Sequence, residues 1–101
     1  RRKIRQNQNC FFGELMIVGF TDTAFEEYNY WCENNKKIHK KIKELINDIK
    51  RSPFEGIGKP EPLKHELSGC WSRRITDEDR IVYEVREEMI LIYSCRTHYH
   101  K

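Results

Sequence analysis

Apolar residues recur three or four positions apart at Ile38, Ile42, Leu45, Ile46 and Ile49, while Lys36, Lys37, Lys40, Lys41, Lys43 and Lys50 fill most of the positions around them. That period predicts a helix with one apolar stripe and a cationic solvent face. Upstream, Phe25, Tyr28, Trp31 and Cys32 keep similar spacing and predict an earlier helix. Thr21 or Asp22 stands as its N-cap, Glu26 and Glu27 fall in its early turns, and Asn34-Asn35 separates it from the second. Met16 to Phe20 before it reads as a strand. Ser52-Pro53 ends the second helix, and the glycines and prolines between Phe54 and Leu63 predict a loop. Beyond it, Cys70 to Ile75 and Arg80 to Val85 read as strands around the polar turn Asp77-Glu78-Asp79, and Met89 to Cys95 as a last strand after Arg86-Glu87-Glu88. A strand, two helices and then an antiparallel meander predict an α+β domain with the helices packed on one face of a small twisted sheet.

Composition narrows the class. The 101 residues suit one domain, and with 38% apolar and 35% charged residues and every long apolar run interrupted, the chain is expected to be globular rather than membrane-spanning or disordered. Residues 1–15 begin with basic Arg1-Arg2-Lys3 and carry Cys10-Phe11-Phe12. Glu14 breaks that apolar run and no small-residue cleavage pattern follows, so a signal peptide is disfavoured. They are expected to be an extension or tag before a single domain over 16–101. Cys10, Cys32, Cys70 and Cys95 show no C-x-x-C or C-x-x-H spacing, which predicts reduced, mostly buried thiols; His98 and His100 alone make a poor metal site. No metal and no cofactor are expected. The formal charge is only +3, yet the clustering of lysine and arginine favours an anionic partner such as nucleic acid.

Candidate chemistry gathers in the C-terminal half. If Thr76 pairs with Arg80 across a three-residue turn, Arg74 pairs with Val82; Arg74 and Arg80 then share one face and Arg73 points to the other. Strict alternation along the last strand places Ile90, Ile92, Ser94, Arg96 and His98 on one side, which turns polar towards its end. A carboxylate, a lysine, arginines and a histidine are the parts required for metal-free cleavage of RNA by its own 2′-hydroxyl. Glu61, fixed between Pro60 and Pro62, suits the base, and His98, with an imidazole that titrates near neutrality, suits the acid. Lys64, Arg74 and Arg80, with Arg73 ranked behind them, suit the phosphate. Each has a plainer role as well: such cations commonly solvate a sheet surface, and a histidine near a chain end is commonly a surface residue. His65 could bind RNA or cap a strand, His39 has no ligand partner at useful spacing, and the lysine-rich helix is either a solvated face or a phosphate-contacting one.

From about Phe20 to Tyr99 the chain resembles the YoeB/Txe toxins, a branch of the RelE-like toxins of bacterial toxin-antitoxin systems. The resemblance is carried by the run from Pro53 through Phe54-Glu55-Gly56-Ile57-Gly58-Lys59-Pro60-Glu61-Pro62-Leu63 to Lys64, by Leu67-Ser68-Gly69-Cys70-Trp71-Ser72-Arg73-Arg74-Ile75, by Arg80-Ile81-Val82-Tyr83 and by Cys95-Arg96-Thr97-His98-Tyr99. It implies a cytoplasmic, ribosome-dependent mRNA endonuclease that cuts the codon in the decoding site. On matching positions it implies Glu61 as general base, His98 as general acid, Arg80, Arg74 and Lys64 as phosphate-stabilising cations, and Tyr99 as an aid in holding the substrate. It further implies a homodimer, a cognate YefM-like antitoxin whose C-terminal segment wraps the toxin, and operator DNA bound only as the toxin-antitoxin complex. The rival is a fold relative that acts by binding, such as a ParE-like gyrase inhibitor or a non-cleaving translation blocker, which needs no Glu61 and His98 pair.

Overall fold

In the computed structural model, which describes residues 16–97, Thr21 is extended (φ −67°, ψ 166°) and its Oγ1 accepts the Ala24 amide at 3.1 Å, so helix α1 (Asp22–Asn34) opens at a side-chain cap. Asn35 closes α1 and opens α2 (Lys36–Arg51), its Oδ1 accepting from the Ile38 amide at 3.2 Å. In α2 the stripe falls inward as expected: Ile42, Leu45 and Ile49 are wholly buried. In α1 Trp31 and Tyr28 face inward as expected, but at the start of the stripe Ala24 takes the place of Phe25. Ala24 and Trp31 are buried with Tyr28 packed beside them, while Phe25 is 56% exposed.

The helices cover one face of a five-stranded sheet ordered β1-β5-β4-β3-β2, formed by β1 (Ile17–Phe20), β2 (Glu61–Pro62), β3 (Cys70–Arg74), β4 (Arg80–Arg86) and β5 (Met89–Thr97). Neighbours from β2 to β5 are antiparallel, and β1 joins the edge parallel to β5. Ile81, Tyr83, Ile90, Ile92 and Cys95 meet Ala24, Trp31, Ile42, Leu45 and Ile49 in the main core. The opposite face holds a smaller cluster, Leu63, Cys70 and Val82 with Leu67 and Tyr93. Among the described residues no helix is long and apolar enough to cross a membrane.

Three expectations are corrected. The glycine-rich stretch is not loop throughout, because Glu61 and Pro62 pair with Ser72 and Trp71 as the short strand β2. The β3–β4 register is two residues from the expected one: Arg74 lies opposite Arg80, and Ser72 opposite Val82. The connection is five residues rather than three, held by Thr76 Oγ1 accepting the Glu78 and Asp79 amides and by the Ile75 amide donating to Asp79 O. A two-residue slip preserves parity, so Arg74 and Arg80 still share a face. The third correction is to β5, where strict alternation fails. Register shifts between Arg80↔Thr97, Val82↔Ser94 and Tyr83↔Ile92 insert extra residues. Ile90 and Ile92 point at the helices, whereas Ser94 shares the other face with Val82, so parity assigns no side to His98.

Candidate active site

The site lies on the sheet face that the helices leave open. Cross-strand register puts Glu61 beside Ser72, Ser72 beside Val82, and Arg74 beside Arg80, so four polar side chains from β2, β3 and β4 project the same way. Arg80 Nη1 is 3.5 Å from Glu61 Oε1 and 3.3 Å from Ser72 Oγ, which is itself wholly buried. The Glu61 side chain is 59% exposed, so this ion pair adds at most about 1 kcal/mol to stability. Its value is positional: a largely exposed carboxylate is held beside a half-buried guanidinium. Arg74 is exposed and makes no ion pair among the described residues, which leaves it available to an anion placed against Arg80.

Arg73 does not join them. It is wholly buried on the helix side, where its guanidinium donates to Asp48 Oδ2 (2.6 Å), Ile57 O (3.1 Å), Ser52 O (2.6 Å), Glu55 O (2.9 Å) and Tyr83 Oη (3.1 Å). With its donors spent on protein acceptors, Arg73 cannot meet a phosphate, and its place among the substrate-binding candidates is withdrawn. What it does is tie the segment from Ser52 to Ile57 to the sheet. Asp48 reinforces this by accepting the Ile57 amide at 3.1 Å. The segment then runs past Gly58, whose carbonyl accepts the Arg74 amide at 2.7 Å, into β2 and Glu61. Gly56 (φ 127°) and Gly58 (φ 82°) are required here, since a Cβ at 56 would collide with the Asp48 carboxylate and one at 58 would press on Leu45 and Arg73.

Lys64 follows the buried Leu63, is exposed, and makes no ion pair among the described residues. His65 opens a single 3₁₀ turn (His65–Leu67) with φ 61°. His39 lies on α2, on the covered side of the sheet, with its ring 4.7 Å from that of Tyr28; burial first, then Lys43 and Lys36, lowers its pKa. It takes no part in the open face. His98 and Tyr99 lie outside the described residues. Among the described residues no three His, Cys, Asp or Glu side chains gather to hold a metal. Sequence reasoning missed Ser72 and Asp48. Ser72 was accessible through its parity with Arg74, two residues on in the same predicted strand; Asp48 was not, since a helical aspartate gives no sign that it faces an arginine 25 residues on.

Comparison with known proteins extends this geometry. Residues 20–99 match the sequence model of the YoeB-like toxin of bacterial type II toxin-antitoxin systems. The chain is 58% identical to Toxin YoeB of Escherichia coli K12 over 84 residues, covering 83% of this chain and all of that one. In structure it is similar to the YoeB dimer of Staphylococcus aureus (TM-score 0.80, 49% identity, 84% of this chain and 99% of that). It is similar also to YoeB in the YoeB-YefM complex of the same organism (TM-score 0.78, 50% identity, 83% and 98%). A match over most of the chain, at this identity and in the same fold, places it in one family: the chain belongs to the YoeB-like toxins of bacterial type II toxin-antitoxin systems.

Proposed function

We propose that the protein is a ribosome-dependent mRNA endonuclease that cleaves its substrate through the RNA's own 2′-hydroxyl. The observation that carries this is Glu61 Oε1 standing 3.5 Å from Arg80 on the open sheet face, with Arg74 in register beside Arg80. Glu61 takes the 2′-hydroxyl proton, O2′ attacks phosphorus, and the bond from phosphorus to O5′ breaks. Arg80, Arg74 and Lys64 offset the charge growing on the phosphoryl oxygens, His98 donates a proton to the leaving O5′, and Tyr99 helps hold the substrate. The products are a 2′,3′-cyclic phosphate and a 5′-hydroxyl, with no metal in the step.

The YoeB dimer and the YoeB-YefM complex among the relatives support a homodimer and a YefM-like antitoxin as partners here too. Ribosome and mRNA in the cytoplasm are the remaining partners, with operator DNA bound only through the toxin-antitoxin complex. The decisive assay incubates purified protein with ribosomes programmed with defined mRNA, with chelator present at a level that leaves ribosomes intact, and maps the new ends. Cleavage in the decoding site, lost in Glu61→Gln and His98→Gln, is the expected result. Intact mRNA, or gyrase inhibition in its place, would mean a toxin that acts by binding.

A further inference from the structure

Strand β5 outruns its parallel neighbour. β1 pairs with it only as far as Phe20↔Ile92, and the irregular β4 ladder leaves extra residues within Tyr93–Ser94 and Cys95–Arg96. Main-chain groups on such a stretch need partners from elsewhere. Helix α1 and its N-cap supply them as side chains. Thr21 Oγ1 donates to Tyr93 O at 3.0 Å, and Trp31 Nε1 donates to Cys95 O at 2.9 Å. One carboxylate oxygen, Glu27 Oε1, accepts both the Cys95 amide at 2.7 Å and the Arg96 amide at 3.1 Å. The Arg96 guanidinium lies 3.5 Å from the Tyr30 ring centroid. These contacts act on the last turn of chain before Thr97, the residue in register with Arg80, and His98 follows directly in sequence.

We propose that Glu27 is a positioning residue for the cleavage reaction: by holding two consecutive amides of β5 it fixes the strand end that lies opposite Arg80 through Thr97, the point from which the chain runs on in sequence to His98. The proposal rests on the nuclease function above. Glu27 touches no reacting atom; it acts through the Cys95 and Arg96 backbone. The core contacts of α1 come from Ala24 and Trp31, so removing the carboxylate loosens the strand end while leaving the core packed.

The test compares wild type, Glu27→Ala, Glu27→Gln and Trp31→Phe. Cleavage of mRNA on programmed ribosomes gives kcat and KM, and amide exchange by NMR gives the state of the Cys95 and Arg96 N–H groups. In Glu27→Ala both amides exchange about 10-fold faster while the core amide of Ile90 holds. Its kcat falls about 10- to 100-fold with KM nearly unchanged, the signature of a displaced acid. Glu27→Gln, which keeps an acceptor oxygen, recovers most of both. Trp31→Phe, which keeps a smaller aromatic ring in the core and loses the donor to Cys95 O, lowers kcat in the same sense and stands in if Glu27→Ala does not fold. Wild-type kcat in Glu27→Ala, or in Trp31→Phe where that variant stands in, overturns the proposal. So does acceleration of every core amide together, or failure of Glu27→Gln to recover. A wild type that leaves mRNA intact fails the nuclease function itself and takes the positioning role with it; a cleaving wild type with an indifferent Glu27→Ala sinks the positioning role alone.

Discussion

Arg73 and Arg74 are consecutive in β3 and end in opposite environments: the guanidinium of Arg73 is sealed between the sheet and α2, whereas that of Arg74 lies open on the other face opposite Arg80. Strand alternation alone produces the split, and it divides one dipeptide between holding the fold and meeting an anion.

Alanine at the two positions separates these roles. Arg73→Ala leaves Asp48 buried without its principal cation and is expected to cost about 3–5 kcal/mol, whereas Arg74→Ala stays within about 0.5 kcal/mol of wild type. At about 4–8 °C per kcal/mol for a domain of this size, thermal unfolding followed by circular dichroism resolves the two easily. Arg73→Lys does not rescue, because a single ammonium cannot span Asp48, Tyr83 and three carbonyls. Arg74→Ala pairs near-native stability with weakened cleavage. Equal melting temperatures for the two alanine variants would contradict the assignment.

At Glu61 the expected pattern is loss of activity without loss of fold. Its side chain is largely exposed and its partner Arg80 keeps a second contact to Ser72 Oγ, so Glu61→Gln should shift stability by less than about 1 kcal/mol. Removing the base should lower cleavage by about 10²- to 10⁴-fold. Urea titration and ribosome-programmed cleavage on one preparation check both. A variant that loses stability but cleaves normally would make Glu61 a structural residue.

Much of this was readable from the chain, and the gaps have physical causes. Both helices announce themselves because Thr21 and Asn35 are local caps and the apolar period is local. The shared face of Arg74 and Arg80 survived a wrong register because the five-residue turn moved it by an even number. The last strand had no such protection. Its irregularities coincide with Glu27, a side chain 68 residues earlier, and nothing near Cys95 signals a helix standing in for a sheet partner. Parity had already ranked Arg73 below Arg74; its burial would have followed had Asp48 been placed opposite it.

Acid should unfold the protein partly through Asp48. Burial pushes this carboxyl up, but the Arg73 hydrogen bond, the Ile57 amide and the charges of Arg73 and Arg51 outweigh it and hold the pKa below its ordinary 3.8. A carboxyl depressed in the folded state contributes stability that is fully present above the unfolded pKa and is lost as pH falls through the folded one. The contribution is therefore intact from pH 7 to about 5, begins to fall at about pH 4, and is gone only once the pH has passed below the depressed folded-state pKa. Urea midpoints across that range, compared with Asp48→Asn, isolate it from the other carboxylates. The variant is weaker at pH 7, and the gap to wild type narrows in acid. A gap that stays constant down to the lowest pH would show that Asp48 does not titrate there.

Thiol chemistry reports on the same strand end from a different side. Burial, aided by the charges of Glu27 and Asp79, pushes the Cys95 thiol up to about 12, and burial followed by Glu84 raises Cys70. Alkylation requires the thiolate, so at pH 8 only about one Cys95 in 10⁴ is reactive even before access is considered. Cys32, half-buried on α1, is the accessible thiol among the described residues. Iodoacetamide on the native protein should thus modify Cys32 well ahead of Cys70 and Cys95, with all three labelled in denaturant, as peptide mapping by mass spectrometry would show. Cys95 also lies between the two groups that grip its backbone, Glu27 at its amide and Trp31 at its carbonyl. Releasing the amide in Glu27→Ala should raise Cys95 labelling while Cys70, on β3, keeps its protection. Native labelling of Cys95 as fast as Cys32 would mean that the strand end is open in solution and that the contacts from α1 do not hold it.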